Sequence, residues 1–80
     1  MKEDRQLEET FSARLNEAIA LSGKNITQIC RESRISRNGL WRCRKGQPPV
    51  LPNLLALCRC LKVSADWLCG LKDGAKVHHD

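Results

Sequence analysis

Apolar side chains recur along this chain at helical intervals and nowhere alternate with a period of two over a useful length. Phe11, Leu15, Ala18, Ile19 and Ser22 fall at i, i+4, i+7, i+8 and i+11, which is one face of an amphipathic helix. Leu7 extends that face by one turn, and Gly23 supplies the left-handed residue that ends it. Ile26, Ile29 and Cys30 predict the buried side of a second helix, with Asn25 as its N-cap and Gln28 as the capping-box partner. Ser36 caps a third helix in the same way after an Arg34–Ile35 turn, and Leu40 and Cys43 are its buried pair. Gly46, Gln47, Pro48 and Pro49 then stop the helix and form a loop, because proline cannot continue the hydrogen-bonded ladder. A fourth helix starts near Leu51, with Pro52 in its first turn, where backbone N–H groups lack partners anyway. Leu54, Leu55, Leu57, Cys58 and Leu61 surround most of it, which predicts the most buried helix of the set. Ser64 caps a fifth helix running through Trp67 and Leu68 toward Leu71.

The pattern therefore predicts an all-α bundle of five short helices. Residues 11–71 form the folded domain, residues 1–10 a polar arm or an extension of the first helix, and residues 72–80 a flexible polar tail. The spacing of two caps adds geometry. Ser36 lies eleven residues after Asn25, so helix two has about two turns and its connection to helix three about three residues. So short a connection forces the two helices to cross steeply. That arrangement lets the second helix of the pair enter a major groove while the first lies across the backbone, its N-terminal amides facing a phosphate.

Charge sharpens this picture. Eighty residues leave room for one small core, and the net charge of +5 is unevenly spread. Residues 1–23 are acidic in balance, with Lys2, Arg5 and Arg14 against Glu3, Asp4, Glu8, Glu9 and Glu17. Residues 24–49 carry Lys24, Arg31, Arg34, Arg37, Arg42, Arg44 and Lys45 against Glu32 alone. The positive field thus coincides with the two capped helices, as expected of a phosphate-backbone binder.

The five cysteines are an odd number, and all fall inside helical patterns, unlike the disulfide framework of a small secreted domain. The acidic, amphipathic start has no signal-peptide character, and no apolar run approaches the roughly 18–20 residues of a membrane span. A reduced, soluble, cytoplasmic protein with no membrane partner is expected. Cys58 and Cys60 are separated by one residue on a helix and point about 200° from each other, so they cannot chelate one zinc ion without unwinding it. Buried thiols acting as small hydrophobes are expected, and no metal or other cofactor; His78 and His79 lie in the tail. Paired carboxylates, a nucleophile–base grouping and a glycine-rich phosphate loop are all missing from the sequence, which argues against an enzyme or a small-molecule substrate.

Residues 11–71 resemble the phage repressor and Cro-like (XRE-type) helix-turn-helix domains, the lambda-repressor-like fold. Asn25 through Ser36 fits that family's commonest frame with equal spacing, Ile29-Cys30 standing for its Leu-Ala and Ile35-Ser36 for its Val-Ser. Leu40, Arg42 and Gly46 fall on its core, polar and terminating positions. Leu54-Leu55-Ala56-Leu57 and Leu61 through Leu68 are similar to its last two helices. Three positions depart from the frame. Arg34 replaces the usual turn glycine, at a cost of roughly 1 kcal/mol if left-handed, Ile26 replaces a phosphate-contacting glutamine, and Lys62 replaces a C-cap glycine.

The resemblance implies a sequence-specific regulator of transcription, a repressor binding double-stranded DNA as a homodimer on a two-fold symmetric operator. It places Arg37, Asn38, Trp41 and Arg42 toward base edges. Arginine can pair with guanine O6 and N7 and asparagine with adenine N6 and N7, so Arg37 and Asn38 lead. Trp41 is read either as a contact to a thymine methyl or sugar, or as a partly buried cover for the Gln47–Val50 loop. Gly39, mid-helix, either lets DNA approach or is simply tolerated. Asn25 and Thr27 at the start of helix two, with Arg31, Arg34, Arg44 and Lys45, are the expected phosphate contacts. Trp67, Leu68 and Leu71 are the expected dimer interface, Trp67 being alternatively core. Two other function classes share these features: a protein-interaction module of antitoxin or anti-repressor type, and a thiol redox sensor, which needs an exposed cysteine of low pKa.

Overall fold

The computed structural model describes residues 2–71, with side chains from residue 8 onward, and all five of its elements are helices. They are α1 (Lys2–Ser22), α2 (Ile26–Ser33), α3 (Arg37–Arg44), α4 (Leu51–Leu61) and α5 (Ala65–Leu68). The predicted tail at 72–80, with its two histidines, lies outside the described residues. None of these helices is long and apolar enough to cross a membrane.

Three serine or asparagine caps fix the helix starts. Asn25 Oδ1 accepts from the Gln28 N–H at 2.8 Å, Ser36 Oγ from the Gly39 N–H at 3.0 Å, and Ser64 Oγ from the Trp67 N–H at 3.1 Å. Each satisfies an amide that a helix start leaves without an intrahelical partner. The expected return bond from Gln28 is not formed. Its Nε2 donates forward to Glu32 Oε2 at 2.9 Å, one turn along, a bond strengthened by the charge of the carboxylate.

Of the two possibilities for the N-terminal residues, the chain takes the helical one from Lys2 onward, and α1 runs as 21 unbroken residues. Its acidic start favours a helix N-terminus, and its second turn docks onto the loop after α3. Gly46, at φ 111°, passes so close beneath Glu8 that a Cβ there would lie 3.3 Å from the Glu8 carbonyl oxygen.

Phe11, Leu15, Ala18 and Ile19 of α1 meet Ile29, Leu40, Leu57, Leu61 and Leu68 in one core, joined by Ile35 and Val63 from the turns. α2 packs against α4, and α1 crosses α3, α4 and α5. α4 is less enclosed than its composition predicts: Leu57, Cys58, Cys60 and Leu61 are buried, but Leu51 and Leu55 share a face turned to solvent. The most definite correction concerns α5. Trp67 and Leu68 are 3% and 0% exposed within a single copy of the chain, so neither is available to a partner as the expected interface requires. Arg14 of α1 stacks over the Trp67 ring at 5.2 Å and donates to the Trp67 carbonyl, which fixes that tryptophan as core. Leu71 lies beyond the end of α5 and is exposed.

Candidate nucleic-acid interface

The turn between α2 and α3 is closed by Arg34, which adopts φ 61° and ψ 32° as the C-cap of α2. The residue in the place of the usual glycine therefore takes the left-handed conformation. Ile35 follows with its side chain in the core, and Ser36 starts α3. Leu40 and Cys43 hold the inner side of α3 at 0% and 5% exposure. Arg37, Asn38, Trp41 and Arg42 consequently all lie on its exposed side. Gly39 is explained within the chain: a Cβ there would stand 3.1 Å from Ser36 Oγ and 3.2 Å from Ile35 Cγ2, so glycine lets the turn close onto the helix.

Arg37 does not project freely. Its guanidinium donates to Thr27 Oγ1, in the first turn of α2, which joins an expected base reader to an expected phosphate contact. Trp41 is 57% exposed, more open than the partly buried loop cover would be, and Lys45 Nζ sits 5.5 Å from its ring centroid. Arg42 lines a shallow cleft with Gly39, Gln47, Pro48, Val50 and Asn53, between α3 and the start of α4.

Arg31 lies exposed in the last turn of α2, three residues before Arg34. Arg44, expected on phosphate, is partly diverted. Its Nε donates to Asn16 Oδ1 at 2.7 Å, while its carbonyl accepts from Ser12 Oγ at 2.6 Å and Asn16 Nδ2 at 3.2 Å. These bonds anchor the C-terminal end of α3 to α1 and supply partners for a carbonyl that the helix end would leave open. Sequence reasoning missed Ser12 and Asn16, because nothing local marks two polar residues whose partner lies some thirty positions away. It also missed Lys24, whose Nζ bridges Glu32 Oε1 at 2.6 Å and the Cys60 carbonyl at 2.8 Å, tying α2 to the end of α4. With Glu32 matched to Lys24, no carboxylate among the described residues forms an ion pair with Arg31, Arg34, Arg37, Arg42, Arg44 or Lys45.

The thiols form no comparable site. Burial pushes Cys58 up to about 11 and raises Cys43, Cys60 and Cys69 as well, away from the reactive thiolate. Among the described residues no three His, Cys, Asp or Glu side chains come together as metal ligands do. No protein-family model, curated protein or solved structure matches this chain.

Proposed function

We propose that the protein is a sequence-specific double-stranded DNA-binding regulator, a repressor that places α3 in the major groove while α2 spans the backbone. One observation carries this reading: Arg37, Asn38, Trp41 and Arg42 form one exposed side of a helix whose other side is locked into the core. The unmatched cations on α2, the turn and α3 supply the electrostatic attraction that non-specific DNA affinity requires. The reading makes the protein a non-enzymatic cytoplasmic binder that acts as a homodimer on two half-sites. Its test is selection from random duplex DNA, followed by fluorescence anisotropy at two salt concentrations. A recovered motif bound selectively, with affinity falling as salt rises, supports the proposal. Weak binding indifferent to sequence overturns it.

A strip of exposed apolar residues, Val50, Leu51 and Leu55, favours a second reading. In it the fold serves as a protein-interaction module of antitoxin or anti-repressor type. DNA binding is then weak, and changing Arg37 and Asn38 together has little effect on it.

A further inference from the structure

Trp41 stands one helical turn beyond Arg37 and one turn before Lys45, so the three share a stripe along the outer side of α3. At one end Arg37 is held by Thr27. At the other the Lys45 ammonium lies 5.5 Å from the indole centroid, a cation–π contact that orients the ring and covers part of one face. The stripe is therefore cation, aromatic ring, cation, and the ring between them is 57% exposed.

The two cations have matching groups on DNA in guanine edges and phosphates. The ring requires something else. Placed against a polar base edge, its carbon surface strips water from several groups while the single indole N–H returns at most one hydrogen bond, which is unfavourable. The apolar group that base edges present in the major groove is the 5-methyl of thymine, and 5-methylcytosine carries the same group. We infer that Trp41 reads a pyrimidine 5-methyl group and so makes one methyl-bearing base a preferred part of the selected site. The indole N–H favours thymine of the two, because thymine offers the O4 acceptor beside its methyl where cytosine offers an amino donor. This inference rests on the DNA-binding proposal and adds the chemistry of one position to it.

The experiment uses the whole chain and the site recovered by selection. Each thymine is replaced in turn by deoxyuridine, which pairs identically but lacks the methyl, and each cytosine in turn by 5-methylcytosine. Binding is measured by anisotropy for the wild type, Trp41→Ala and Trp41→Phe, with circular dichroism confirming that the exposed substitutions leave the fold intact. One deoxyuridine is expected to weaken the wild type by about fourfold, the worth of one buried methyl. It should leave Trp41→Ala unaffected and retain part of its effect on Trp41→Phe. A gain of the same size on methylating one cytosine, again lost in Trp41→Ala, supports the inference with 5-methylcytosine as the source. A wild type indifferent to every such change overturns it, as does a penalty equally large in Trp41→Ala. A flat scan on a selectively bound site removes this inference alone, whereas failure to select any site removes the DNA-binding proposal beneath it.

Discussion

Arg37, in the first turn of α3, donates a hydrogen bond to Thr27 Oγ1 in the first turn of α2, so the starts of the two helices are tied side chain to side chain. Each helix start is also capped by its own polar residue, Asn25 or Ser36. The guanidinium expected to read a base is thereby held in place before any ligand arrives, which lowers the entropy lost on binding.

Replacing Thr27 by valine keeps its shape and removes its acceptor. Affinity for the selected site should fall about threefold to tenfold, the worth of one hydrogen bond, with discrimination flattened at the base pair that Arg37 reads. Thr27→Ser should restore both. Anisotropy across point-substituted sites checks this. A uniform loss at every sequence, with a shallower salt dependence, would instead make Thr27 a phosphate contact.

Arg34 adopts φ 61°, a conformation that costs a residue with a Cβ about 1 kcal/mol. Arg34→Gly should therefore raise thermal stability by up to about 1 kcal/mol, partly offset by the added freedom of the unfolded chain. The same substitution removes a cation next to the proposed interface and should weaken DNA binding most at low salt. Opposite signs for melting temperature and affinity are the expected signature.

Glu32 accepts from Lys24, Gln28 and Cys60, and the Lys24 ammonium foremost holds its carboxyl at about 2, below the usual 4.5. A depressed carboxylate stabilises the fold above its unfolded pKa, and that contribution is lost as pH falls through the folded value. Melting temperatures of the wild type should thus drop more steeply than those of Glu32→Gln between about pH 5 and pH 2, converging at the acid end. The pair is partly solvated, so added salt should shrink the difference. Parallel curves would show that the ion pair does not contribute.

Trp67 and Leu71 should separate cleanly. Trp67 is 3% exposed and Trp67→Ala should cost about 3–5 kcal/mol, a large part of the stability of so small a domain. Leu71 is 81% exposed, and Leu71→Asp should leave the chemical-denaturation midpoint of a single copy within about 0.5 kcal/mol of wild type. If Trp67→Ala melts like the wild type, the ring is not core.

What could be read in advance follows the range of each interaction. The caps at Asn25, Ser36 and Ser64 act over three residues, and the buried pair Leu40 and Cys43 follows from helical spacing alone, so these features were legible in the chain. The exposed side of α3 followed by complement. The partner of Gln28 was not legible, because its side chain is turned by Nε2 donation to Glu32 one turn on, and periodicity carries no information on which polar neighbour holds it. Trp67 was ambiguous because a short apolar helix looks the same whether α1 or a second copy covers it. Arg14 decided the matter from fifty-three positions away. The anchoring bonds of Arg44 were not legible for the same reason: its partners Ser12 and Asn16 are distant in the chain and ordinary in type. The candidate site was legible only as chemistry, through the position of cations and a ring on one helix side.

The grip of Ser12 and Asn16 on α3 includes the main-chain carbonyl of Arg44. Every amino acid supplies that oxygen, so the anchor survives whatever side chain stands at position 44 and at the outward positions before it. The scaffold thus separates what holds α3 from what α3 presents. The outward positions proposed to read DNA can be rewritten while the pose of the helix is preserved, which makes this small domain a natural starting point for redesigning that face.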